Sequence, residues 1–391
     1  MKKIYFLLSM ALVLLGTTAC GSKGESTEVA EEDSPAMQLL NSVPFTEEGL
    51  ISMIKTPKDQ ALSDDEYEAL WLAYSKVSIN ESKLELDPNP ISNARNTIMK
   101  DHKRPESASA IQEKLLTNPS PQVRGMAMGQ FSSLFGLSAE NATKLVNVLA
   151  EEENPFVLRE GVRALSNELK KADVGKFVLG QAKSDNKFVR KQVAYAVGNS
   201  WSIGVPGVKE VAQELMNDKD DDVRSAMLGY VGKLADDSFV PELEKVLNDN
   251  GQAKFHADCM RSLYTLWYDY PFHKNTSKAA FDATVNYLKK KPRTEDVPAW
   301  NSIGELRSQA ESSYGAWKAK ATYYDNGEYL KLMSDIATDA DANWLGRSAA
   351  IDVIEKIGTK ADLEKVQSAV KSNSNDSKQS LILSSLEKKL K

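Results

Sequence analysis

Histidine and cysteine are nearly missing from this chain of 391 residues, which holds three of the first and two of the second. Two cysteines, Cys20 and Cys259, allow one disulfide at most and no framework of them. His102, His256 and His273 are too few and too scattered for a histidine-rich metal centre. His256 and Cys259 stand three apart, a spacing that can ligate a metal on a helix, but no second cysteine is near enough to complete a site. No metal and no cofactor is therefore expected. Neither a Gly-rich phosphate loop nor a nucleophile elbow occurs. Asp339, Asp341 and Asn343 start like a calcium loop, but Trp344 stands where the sharp turn needs Gly and Ala350 where the bidentate Glu belongs. No catalytic residue is assigned and no enzyme is expected. Dense basic runs are also lacking. With 49 Lys+Arg against 55 Asp+Glu the formal charge is −6, and the short cluster Lys289, Lys290, Lys291, Arg293 falls at an expected helix end, where the macrodipole favours cations. This argues against nucleic acid as a partner.

Long apolar runs are absent too. Ile4 to Leu15 is apolar almost throughout, but it falls short of the roughly 20 residues that a bilayer span needs and suits the core of a signal peptide. Lys2 and Lys3 precede it; Gly16, Thr17, Thr18 and Ala19 lead to Cys20. This arrangement resembles the lipobox of bacterial lipoproteins, although Thr17 stands where Leu is usual. The resemblance implies cleavage before Cys20 and a diacylglyceryl group on its sulfur. Gly21, in place of an inner-membrane retention Asp, implies the periplasmic face of the outer membrane. Residues 21–36 are polar, acidic and free of aromatics, a composition that cannot bury enough surface to order itself and reads as a tether. The expected divisions are 1–19 signal peptide and 20–36 acylated cysteine and tether.

What the chain does have is repetition. An apolar residue followed by Arg recurs after turns rich in Asp, Asn or Pro: Val123-Arg124, Leu158-Arg159, Val189-Arg190 and Val223-Arg224, with steps of 35, 31 and 34. A further 32 residues reach Phe255-His256, and the pattern returns at Gly346-Arg347. Three residues beyond the Arg stand Ala127, Val162, Val193, Met227, Cys259 and Ala350; seven beyond stand Phe131, Ser166, Val197, Val231, Leu263 and Ile354. These offsets share one face of an α-helix. A second amphipathic segment follows each, as at 142–150, 173–182, 208–216, 240–247 and 361–370. Strand patterning is nearly absent. Helix pairs this short hide their apolar faces only by stacking on neighbours.

The pattern D-x-x-VR-x-x-A with a second helix behind it resembles HEAT repeats of the short bacterial class. The expected fold is all-α, a right-handed α-solenoid of such pairs with one helix layer lining a concave surface. The resemblance also implies structural arginines paired with Asp of neighbouring turns, Asp185 with Arg190 and Asp222 with Arg224.

The remaining divisions follow: 37–117 an N-terminal helical cap, with a capping box at Ser63 and Glu66; 118–254 regular repeats; 255–344 an irregular stretch; 345–391 a last repeat and capping helix. The irregular stretch carries half of the chain's aromatics, and Trp and Tyr favour binding surfaces. Trp267, Tyr268, Trp300, Trp317, Tyr323 and Tyr324 are the candidate contact residues, against the plainer reading that they fill a core. The function expected is a non-catalytic, lipid-anchored scaffold that binds a protein or envelope component and meets the membrane through its anchor alone. The second reading is a glycan-binding or glycan-cleaving helical array that uses the aromatics as a platform and paired carboxylates as acid and base.

Overall fold

The computed structural model describes residues 34–135, 138–268, 276–290 and 311–391. The expected signal peptide, Cys20, most of the tether, His273 and Trp300 lie outside the described residues. Within them the chain is an all-α solenoid of twenty α-helices. No helix among them is long and apolar enough to cross a membrane.

Two rows build the stack. The first holds Pro121–Phe135, Pro155–Leu165, Lys187–Val197, Asp221–Tyr230 and His256–Trp267. The second holds Ala139–Ala150, Ala172–Gly180, Val208–Met216, Val240–Leu247 and Lys278–Lys289. Successive first-row helices lie against one another along their lengths, whereas several successive second-row helices barely meet. The more tightly spaced row lies on the inside of the curve. Glycine permits that spacing at its tightest points. A Cβ on Gly232 would sit 2.2 Å from the Ser262 carbonyl oxygen, and one on Gly198 would sit 2.5 Å from the Tyr230 Cβ.

Three first-row helices and the later helix Trp344–Ile357 begin with a polar cap, whereas His256–Trp267 follows Phe255 and has none. Asn154 accepts from the Phe156 N–H, Asn186 from those of Phe188 and Val189, Asp220 from that of Asp222 and Asn343 from that of Leu345. Such caps satisfy N–H groups that the helix itself leaves unpaired. Arg190, Arg224 and Arg347 each lie four residues after their cap. This count corrects one repeat. Four residues after Asn154 stands Leu158, not Arg159, and the buried apolar residue before the slot is Val157. The shift removes an anomaly: the exposed side of the repeat receives Ser166, and Leu165, fully buried, takes the inward position. Gly161 then faces the core because Leu149 fills its space; a Cβ there would come within 2.4 Å of Leu149 Cδ2.

The slot arginines clamp one repeat to the next. Arg190 donates from Nε and Nη2 to the Asp218 carboxylate (2.7 and 2.9 Å) and from Nη1 to the carbonyls of Ser184 and Asp185 (2.9 and 3.0 Å). Arg124 does the same with Glu152 (2.8 and 3.0 Å) and the carbonyls of Asn118 and Pro119. Arg347 binds Asp376 (3.0 and 2.6 Å), with neither side chain more than 1% exposed. These are bidentate, charge-assisted pairs. The expected pairings are thus corrected: Arg190 meets Asp185 only through a backbone carbonyl, and Asp222 binds Lys187 at 3.2 Å while Arg224 donates to Gln252. Each carboxylate also accepts from the N–H two residues on, at Asn154, Asp220 and Lys378. Where Leu158 replaces the arginine, Ser184 replaces the acid, and its hydroxyl accepts from the Asn186 N–H.

The ends follow the same logic. Ser63 and Glu66 form the expected capping box at Asp64–Leu72, and Thr359 and Asp362 another at Lys360–Ser372. Ile382 and Leu386 bury the final helix, Gln379–Leu390, while Leu381 is exposed. One element departs from the helical expectation. Ile79–Asn80 and Glu85–Leu86 pair antiparallel in a two-residue hairpin, with Leu84 at φ 52°. Its turn is held by Asn80, whose Oδ1 accepts from the Ser82 N–H and hydroxyl.

Candidate functional site

Among the described residues, most rings of the aromatic stretch turn inward, Trp344 excepted. Trp267 is 0% exposed, Trp317 1% and Tyr268 6%. Trp317 Nε1 donates to the Trp267 carbonyl (2.7 Å), Tyr268 stacks on Trp317 with centroids 5.3 Å apart, and Trp317 meets Tyr324 edge-on at 4.7 Å. Phe281 carries Tyr323 at 5.3 Å. Burial pushes the Tyr323 hydroxyl up to about 12 and raises that of Tyr324 further. The expectation that these rings offer a contact surface is corrected for Trp267, Tyr268 and Trp317, whose faces are spent on one another, and Tyr323 and Tyr324 are half-buried against the same cluster. The physical reason is the broken period. Regular repeats close their core with Val, Ala and Leu; the longer spacing here is filled by rings, whose area is large for the rotamers they fix.

The chemically suggestive residues have structural occupations as well. His256 holds the arginine slot. Its Nε2 lies 3.1 Å from the Val246 carbonyl and 3.2 Å from that of Asp249, so Nε2 carries the proton; its Nδ1 accepts from Tyr287 Oη at 3.0 Å. Cys259 is fully buried, and burial raises its thiol far above the ordinary range. Asp339 accepts from the Asp341 N–H, and Asn343 caps a helix. Among the described residues no three His, Cys, Asp or Glu side chains are grouped to hold a metal ion.

The surface that stays open is the solvent face of the first row. Tyr195 is 37% exposed there and Trp201, just beyond the same helix, 54%. Tyr195 meets Tyr230 of the next repeat edge-on at 5.3 Å, and the Lys233 ammonium lies 4.3 Å over the Tyr230 ring. Burial and the neighbouring Arg261 lower the Lys233 pKa. The hairpin leans over this face. Arg159, displaced by one residue from the slot, donates from Nη1 to the Leu84 carbonyl (2.6 Å) and meets Glu85 at 3.4 Å. Between hairpin and helices lies a groove of about 320 Å³ walled by Phe188 and Tyr195, with Lys83 and Lys191 at its edges. The sequence carried a signal for it that the slot count concealed: a basic residue one step past Leu158 has no place in the core.

A model of HEAT repeats matches residues 142–227. No curated protein matches the chain. Among solved structures, YibA of Escherichia coli is similar over 78% of this chain and 97% of its own, at 16% identity and a TM-score of 0.42. A designed armadillo repeat protein is similar over 72% of this chain and 98% of its own (13% identity, TM-score 0.26). A homology model of the AP-3 complex is similar over 67% of this chain (13% identity, TM-score 0.37), and the chain spans 53% of that one. The arginine slots, the two helix rows and the matched segment agree: residues 142–227 are HEAT repeats, and helices on both sides continue their stack.

Proposed function

We propose that the protein is a non-catalytic scaffold, anchored by lipid at Cys20 in a bacterial envelope, that holds a protein partner on the solvent face of its first helix row. Repeat arrays of this kind use an extended curved surface for binding. The observation that carries the reading is the exposed Tyr195 and its continuation through Tyr230 and Lys233, a run of aromatic and basic side chains across successive repeats. Rigid rings at an exposed position give contact area with little entropy to lose. The anchor rests on the N-terminal sequence alone, and acylation at one residue by more than one chain gives firm attachment. The outer membrane follows from Gly21 in the same way.

A photocrosslinking residue at position 195 tests the face, with one at Gln213 on the second row as control. Capture of a defined protein from position 195 and not from 213 is the expected result; the reverse pattern ends the reading. For the anchor, Cys20→Ala should move the protein from the membrane to the soluble fraction and stop incorporation of labelled fatty acid. The glycan reading loses the platform it named, since Trp267 and Trp317 lie in the interior.

A further inference from the structure

The groove under the hairpin is not electrically neutral, and its charges suggest what fills it. Most cations on the first-row face are answered by a carboxylate. Lys187 meets Asp222 at 3.2 Å and Asp220 at 3.4 Å, Arg261 meets Asp258 at 3.3 Å, Arg163 bonds the buried Glu160, and Lys254 bonds Asp221. Among the described residues, Lys83 and Lys191 have no such partner, and both border the groove. They lie on different elements, one on the hairpin turn and one on Lys187–Val197; Arg159, on the adjacent helix Pro155–Leu165, ties the hairpin to the row by its bond to the Leu84 carbonyl. Between them stand the rings of Phe188 and Tyr195, with Ser82 and Gln192 able to hydrogen-bond a backbone. Glu85 and Asp222 also line the groove, but each is already paired, Glu85 with Arg159 and Asp222 with Lys187. The two unanswered lysines therefore leave a local positive surplus on a chain that is acidic as a whole, and that surplus steers an anionic partner to one place.

We infer that this groove takes an extended acidic peptide segment of a protein partner, with two carboxylates on Lys83 and Lys191 and an apolar side chain between them against Phe188 and Tyr195. The assignment rests on the scaffold reading and gives it a partner chemistry. A compact inorganic anion would satisfy the lysines but leave the rings uncovered. A long polyanion such as DNA would meet the repelling field of a chain with formal charge −6.

The test is fluorescence anisotropy with the purified protein and a labelled peptide of alternating Glu and Leu. Binding should weaken as salt is raised, because exposed pairs are screened. K83E/K191E should reduce affinity at least about tenfold, since two attractive contacts become repulsive. Tyr195→Ala should reduce it by several-fold, and Lys176→Glu on the second row should leave it unchanged. An unaltered thermal melt of K83E/K191E establishes that the variant is folded. The same peptide with Lys in place of Glu should not bind. Equal binding of the two peptides, an unaffected K83E/K191E variant, or displacement of the acidic peptide by heparin or inorganic phosphate at equal charge concentration each overturns the assignment. If position 195 still crosslinks a defined protein while the acidic peptide fails to bind, the scaffold stands and the acidic chemistry falls. If position 195 captures nothing and 213 does, the face itself is wrong.

Discussion

Asp376→Asn leaves the Arg347 guanidinium in an interior from which water is excluded, because neither member of the pair is exposed. Arg347 holds the Asp376 carboxyl below its usual range through their hydrogen bonds. Breaking a buried pair from one side costs about 3–5 kcal/mol, and denaturant unfolding of Asp376→Asn should show a loss of that order. A more discriminating experiment uses the repeat where both partners are missing. Leu158→Arg introduces a cation opposite Ser184 and should destabilise by roughly 1–3 kcal/mol, through a polar group left without its acceptor. Adding Ser184→Asp should restore much of it. The coupling in that double-mutant cycle measures the clamp, and a cycle that sums to zero would mean the slot does not face the next turn at all.

At the scale of single elements, the helix Asp64–Leu72 depends on one carboxylate. Glu66 is 4% exposed, and burial alone would raise its pKa; hydrogen bonds from the Thr56 hydroxyl and the N–H groups of Lys55, Ser63 and Thr56 outweigh that and hold it at about 2. A depressed pKa contributes stability that is complete above the unfolded-state value near 4.5 and is lost as pH falls toward 2. The contribution is on the order of 3 kcal/mol. Unfolding free energy measured from pH 6 to pH 3 should therefore fall, and Glu66→Gln should flatten this part of the profile. First-row spacing makes a second element-scale prediction. Gly232→Ala forces a methyl into the Ser262 backbone, and overpacking of this kind costs about 1–3 kcal/mol, readable as a lowered thermal midpoint. The hairpin was not legible in the sequence. Its strands are two residues each, too short for alternation to register, and besides its own Asn80 it is held by a distant arginine.

The whole molecule was legible where its physics is periodic. Helix caps, buried valines and slot arginines recur at fixed offsets, so their pattern announced the stack, and the spacing of Ser63 and Glu66 announced the capping box there. Two things escaped. The register at Leu158 slipped because an arginine happens to follow the slot, and only the position of the Asn154 cap reveals which residue faces the next turn. The aromatic stretch stays open between surface and core in the sequence, because composition alone does not tell a ring that greets a partner from one that plugs a widened core, and burial at Trp267 and Trp317 decides for the core. The exposed Tyr195 lies in a regular repeat, where nothing in the local pattern sets it apart.

The missing clamp has a mechanical meaning. Along the array, junctions at Arg124, Arg190 and Arg347 are bolted by bidentate ion pairs, while the junction between Leu158 and Ser184 is closed by apolar packing without that bond. Stretched end to end, a linear stack parts at its least fastened joint. That joint lies beside the hairpin groove, so a load on the array would pry open the floor beneath whatever is bound there and couple tension to release.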